Sequence, residues 1–192
     1  MTKLLYISPS IFPSSAANTT HVILQVDGFT RCYDSIRVVG MANPAEKKRN
    51  GILDKLRNSY GVDLANVELS LCANYLGFAN NLVIAFFSVW FLLFFRDYKI
   101  ITRNIYAAFF TVFLRNDKFI YEIHTIETGF RSVLQRIILR SHKSKVVVIS
   151  EALKELIIGK YSVDERKLSV LHDAARAGLP LLNQENSVVS LN

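Results

Sequence analysis

The sequence predicts an α/β fold: a single Rossmann-like domain whose mostly parallel sheet carries helices on both faces. Three observations carry this reading. Short β-branched or aromatic runs alternate with helical stretches along the chain, as right-handed βαβ crossovers require. The runs at 120–123 and 146–149 are nearly continuously apolar, like central parallel strands that are covered on both sides. The chain has 192 residues, 51% of them apolar and 20% charged. That composition suits one domain with a sizeable core and excludes disordered, collagen-like and low-complexity classes.

Taken in order, residues 3–7 form a short apolar strand followed by a Ser/Pro loop, 8–18. A helix follows over 18–33, with Val22, Ile23, Val26 and Phe29 at helical spacing. Residues 35–39 read as a second strand closed by Gly40, and 47–60 as a polar helix ended by Gly61. Residues 67–71 alternate cleanly and read as a third strand. The segment 82–95 is apolar except for Ser88. It is shorter than the ~20 residues of a membrane span, so its length suits a buried core helix or a membrane-interface helix better. Beyond it the pattern gives a strand at 98–102, an apolar helix at 105–114 and a strand at 118–123. The amphipathic helix 129–141 sets Phe130, Val133, Leu134, Ile137 and Ile138 against Arg136, Arg140 and Lys143. A strand at 145–149, a helix at 151–158 capped by Ser150 and ended by Gly159, and a strand at 168–171 complete the pattern.

Two cysteines, Cys32 and Cys72, are too few for a disulfide framework and read as free thiols of a reducing compartment. The N-terminal apolar run stops at Ile7 before Ser8-Pro9, unlike a signal peptide, so a cytoplasmic protein is expected. Net charge is +7, and the basic excess is densest over 131–145, where Arg131, Arg136, Arg140, Lys143 and Lys145 meet no carboxylate. Such a run is either a solvated helix face or an attractor of phosphate groups, including those of anionic lipid.

Ligands of an open parallel sheet bind beyond the carboxyl ends of its strands. That rule selects the loop containing Ser14 and Ser15, then Arg103 and Asn104, His124 and Thr125, Ser150 and Glu151, and His172 and Asp173. The first loop is either a phosphate- or sugar-receiving helix start or a solvent loop with a cap at Asn18 or Thr19. His124 is the strongest single candidate, with Glu122 two residues before it and Glu127 three after. No GxGxxG, Walker A, HExxH or G-x-S-x-G pattern occurs, and the four histidines lack metal-ligand spacing. Phe86, Phe87, Trp90 and Phe91 read as buried and not as stacking platforms, so nucleic acid is not expected as a partner.

The blocks Ile101-Thr-Arg-Asn104, Tyr121-Glu-Ile-His-Thr125, Val148-Ile-Ser-Glu-Ala-Leu-Lys154 and Val170-Leu-His-Asp-Ala174 together resemble the N-terminal, acceptor-side half of GT-B glycosyltransferases. They are most similar to the retaining enzymes often called glycosyltransferase family 4. The resemblance implies one domain over residues 1–175, an interdomain linker remnant over 176–192 and a donor-binding domain absent from this chain. It implies that His124 lies near the transferred sugar as the catalytic candidate. Substrate is expected at Ser14, Ser15, Arg103, Asn104, Thr125, Ser150 and Glu151, with no metal. No cofactor is expected in this half, since the nucleotide-sugar donor belongs to the C-terminal domain. The sequence departs from the family at the first loop, where paired glycines are often found and Ser14-Ser15-Ala16-Ala17 stands instead. The implied function is the acceptor half of a retaining glycosyltransferase acting on a glycan or lipid-linked acceptor, peripheral on the inner face of a membrane and inactive without its donor domain. The alternative is a non-catalytic half-domain that pairs with a separate donor-domain chain. A flavodoxin-like regulator ranks lower, because the Asp cluster and Lys of receiver domains are not found.

Overall fold

The computed structural model describes residues 1–47, 51–74 and 79–171. Strands β1 (Lys3–Ile11), β2 (Ser35–Ala42), β3 (Val67–Ala73), β4 (Tyr98–Thr102), β5 (Phe119–Ile123), β6 (Ser144–Val148) and β7 (Leu168–Val170) pair in parallel throughout. They form one seven-stranded sheet in the order β3-β2-β1-β4-β5-β6-β7. The chain therefore winds outward from β1 to β3, crosses back to β4, and winds the other way to β7.

Right-handed crossovers in opposite directions place their helices on opposite faces. Helix α1 (Ala17–Phe29) and helix α3 (Ile52–Tyr60), which follows the short α2 (Pro44–Lys47), cover one face. Helices α4 (Asn80–Phe94), α5 (Ile105–Leu114), α6 (Gly129–Arg140) and α7 (Glu151–Tyr161) cover the other. Strand alternation divides the core accordingly. Leu4 and Tyr6 of β1 pack with Val22, Val26, Ile36 and Leu56, whereas Leu5 and Ile7 pack with Ile84, Leu92, Ala107 and Leu139. Each such side chain, fully withdrawn from water, contributes roughly 1.5–3 kcal/mol.

Several expectations need correction. β1 runs on through Pro9 to Ile11, because Ser8 and Ser10 bury their hydroxyls against each other at 2.9 Å. Pro9 offers no N–H, and the register with β2 shifts between Ile7 and Ile11. The helix expected over 18–33 ends at Phe29, and Cys32 lies exposed beyond it. Gly159 does not end α7, which continues to Tyr161 and stops where Ser162 turns left-handed at φ 52°. In α6 only Leu134, Ile138 and Leu139 of the apolar side chains turn inward; Phe130, Val133 and Ile137 are exposed alongside Arg136 and Arg140.

The largest correction concerns α4. Ile84, Ala85, Ser88, Phe91 and Leu92 face the sheet, with the Ser88 hydroxyl donating to the Ile84 carbonyl at 2.7 Å. Phe86, Phe87 and Trp90, read from the sequence as buried, are exposed, Trp90 by 59%, and only Phe91 is buried. The segment is neither a wholly buried core helix nor a span. No helix among the described residues is long and apolar enough to cross a membrane.

Candidate functional site

The winding reverses between β1 and β4, and the crevice at their carboxyl ends is where ligands of such sheets bind. A cavity of about 180 Å³ opens there. Pro9 of β1, Arg103 and Asn104 after β4, and His124 and Thr125 after β5 line it, joined by Asn18 of α1, Asn81 of α4 and the ion-paired Glu127 and Arg131.

Its floor is built around Glu122, which is 3% exposed. The carboxylate receives His124 Nε2 at 2.6 Å and Gln25 Nε2 at 3.0 Å. The Tyr6 hydroxyl, Arg103 Nε and His21 Nε2 each stand 3.5 Å from it. Burial by itself would raise this carboxyl. Hydrogen bonds from His124 and His21, the Arg103 charge and the Gln25 amide outweigh burial and hold it well below the usual carboxylate range. Burial, with the neighbouring Glu122 charge, pushes the Tyr6 phenol well up, so it remains a neutral hydrogen-bonding group.

The tautomer of His124 follows from its partners. Arg103 Nη2 lies 3.2 Å from Nδ1 and can only donate, so Nδ1 accepts and the Nε2–H points at Glu122. Arg103, whose side chain is 7% exposed, keeps a further donor: its Nη1 is buried with no hydrogen-bond partner among the described residues. Arg131 is instead paired with Glu127 at 2.6 Å, so the cavity combines two guanidinium groups with two carboxylates and carries no large net charge.

His21, Glu122 and His124 bring three ligand atoms within 4.8 Å of one another, the geometry of a metal-binding triad. The Arg103 guanidinium stands 3.5 Å from the same Glu122 oxygen, so a dication would share that oxygen with a fixed positive charge. It is this fixed charge, and not the His/Glu/His donor set, that makes hydrogen bonding to oxygen-rich ligands the better use of the cluster.

The structure brings Arg103, Asn104, His124 and Thr125 together around the cavity. Asn104 also caps α5, its side-chain oxygen accepting from the Ala107 N–H at 2.9 Å, and its amide donates to the Asn81 carbonyl at 2.9 Å. Ser14, Ser15, Ser150 and Glu151 do not line it. The Ser14 hydroxyl accepts from the Ala16 N–H, and Ser15 is exposed. Ser150 caps α7 through the Leu153 N–H at 3.2 Å, and Glu151 is exposed beside Lys154. His172 and Asp173 lie outside the described residues. Sequence reasoning missed Asn18, His21 and Gln25. Their signal was a polar i, i+3, i+7 stripe, all three on one side of α1.

The sequence matches no protein-family model, and no curated protein sequence matches it. Similarity appears at the level of structure. The chain superposes on the apo form of the lipopolysaccharide outer core galactosyltransferase WaaB with a TM-score of 0.51 at 12% identity, covering 89% of this chain and 45% of WaaB. The chain thus spans less than half the length of that enzyme, and its fold is that of one Rossmann-like half of a GT-B glycosyltransferase.

Proposed function

We propose that the chain is the acceptor-binding half of a retaining glycosyltransferase. It would hold a glycan or lipid-linked acceptor while a sugar arrives from a nucleotide-sugar bound to a second Rossmann-like domain. The observation that supports this most directly is the Arg103–His124–Glu122 cluster at the switch point of a glycosyltransferase-like sheet. Arg103 Nη1 donates to an acceptor oxygen, and Asn18, Asn81 and Thr125 meet sugar hydroxyls. His124, held in one orientation by Glu122, contacts the transferred sugar. Ser14, Ser15, Ser150 and Glu151 fall on the same carboxyl edge of the sheet, where a ligand held by a facing domain would reach them. The donor domain, in the same polypeptide or in a separate chain, closes the other wall of the cleft.

The cavity volume of about 180 Å³ is below the ~300–1,000 Å³ of a complete small-molecule pocket, which agrees with one wall of a cleft. The test is a heteronuclear NMR titration of the full chain with soluble disaccharides and, separately, with UDP-, GDP- and ADP-sugars. Disaccharides should shift the resonances of Arg103, His124 and Thr125, and nucleotide-sugars should not bind until a donor domain is supplied. Once transfer is reconstituted, His124→Ala should lower it by about 100-fold or more with circular dichroism unchanged. Micromolar binding of a nucleotide-sugar by the chain alone would refute the acceptor-half reading.

A further inference from the structure

We infer that the outward face of α4 and α5, with the exposed Arg96 and Arg140 beside it, seats the protein on an anionic lipid bilayer. Helix α5 packs between α4 and α6 on one side of the sheet. Phe86, Trp90 and Phe94 of α4 and Phe113 of α5 are each 59–65% exposed. Their rings meet in tilted and edge-to-face pairs: Trp90 and Phe94 centroids lie 4.2 Å apart, Phe86 and Phe110 5.6 Å apart, and Phe109 and Phe113 4.9 Å apart. At the ~150–250 Å² each such ring offers, the open aromatic area is on the order of 500 Å². That lies near the top of the range for the largest apolar patch of a monomer, roughly 300–600 Å².

Charge identifies the occupant. No residue of α4, α5 or α6 is acidic, whereas Arg96 and Arg140 are exposed; Arg136, also exposed, stands over the Tyr161 ring of α7. The carboxylates flanking these helices are paired: Asp97 with Lys3, Asp117 with Arg115 and Glu127 with Arg131. An apolar, aromatic face whose flanking carboxylates are all paired, with exposed arginines beside it, matches the layering of a bilayer with anionic headgroups, where aromatic rings sit at the acyl boundary and arginines among the phosphates. A second copy of the chain fits less well: an isologous dimer would set this face against itself and bring like charges together. With no helix among the described residues long and apolar enough to cross, α4 lies in the interface plane.

The face also adjoins the candidate site. Asn81 lines the cavity, and Leu82, the next residue, is exposed on α4. On the acceptor reading, and resting on it, a lipid-anchored acceptor reaches the cavity along α4 without leaving the bilayer.

Trp90 is the only tryptophan in the sequence, so its fluorescence reports on this face alone. The full chain is mixed with phosphatidylcholine vesicles with and without phosphatidylglycerol, and flotation and Trp90 emission are recorded. Anionic vesicles should recover the protein and shift the emission to the blue, an effect weakened by salt. Phe86→Ser with Phe94→Ser should lower recovery at least ~10-fold, and Arg96→Glu with Arg140→Glu should do the same, with circular dichroism unchanged in both. Absence of flotation, flotation without a Trp90 shift, or a shift that appears without vesicles as a dimer forms would overturn the proposal. The assay needs no sugar, so its failure leaves the acceptor reading untouched.

Discussion

Glu122 draws its partners from three elements that are distant in sequence: Tyr6 on β1, His21 and Gln25 on α1, and Arg103 beyond β4, besides its neighbour His124. A buried carboxylate this well satisfied is stabilising only while ionised. Its ordinary value is near 4.5 and its folded value lies well below. The stabilisation is therefore complete above about pH 4.5 and is lost as pH falls toward the folded value, because the unfolded chain binds the proton first. Glu122→Gln should cost about 2–3 kcal/mol at neutral pH. The gap to wild type, measured by urea denaturation, should narrow as the pH is lowered to about 3. A gap independent of pH would show that the ionised form is not what the site holds. His124, Arg103 and Asn104 were legible in the sequence because strand ends at a switch point collect ligands. The role of His21 was not, since it depends on which side of α1 meets β5, and only the assembled sheet decides that.

At the scale of elements, β4 and α5 stand at 98–102 and 105–114 as the sequence indicates, and Asn104 explains the sharpness of the boundary by capping the first turn of α5. Where bounds were misjudged, tertiary anchors had overridden local preference. Tyr161 is 2% exposed and its hydroxyl bonds Gln135 at 2.7 Å, which carries α7 past Gly159. The exposed stripe of α4 was illegible for a different reason. A helix apolar on nearly every side carries no periodicity that says which side meets the sheet. Arg115 escaped notice because a charged residue just after a helix reads as solvated. It is 2% exposed and ties α4, β4 and α5 together, donating to the carbonyls of Phe95 at 2.9 Å, Arg96 at 2.6 Å and Tyr98 at 3.3 Å. Arg115→Ala would strip these carbonyls of their guanidinium donor and should cost about 3 kcal/mol, with Arg115→Lys recovering part of it. An urea midpoint within error of wild type would mean that water replaces the guanidinium at little cost.

The whole molecule has one narrow place. β1 pairs with β4 from Lys3 and Tyr98 through Ile7 and Thr102, and β5 pairs with β6 from Phe119 and Ser144 through Ile123 and Val148. Between these blocks, in the β4–β5 ladder, only Ile101 and Thr102 find partners, in Ile120 and Tyr121. The sheet is therefore two well-laddered blocks with a short seam, and the Glu122 cluster lies across it, with Tyr6, His21, Gln25 and Arg103 on one side and Glu122 and His124 on the other. The residues that shape the cavity are thus also the clasp between the blocks. That coupling keeps the site preorganised as long as the seam is closed, because opening it would separate Arg103 from His124. Local opening follows the weakest contiguous set of bonds. Glu122→Gln should therefore lower the amide hydrogen-exchange protection of Ile123, Val146 and Val148 more than that of Leu5 and Ile7. Equal losses in both blocks would mean that the sheet opens as one unit and that α5 and α6, not the charged cluster, hold the seam.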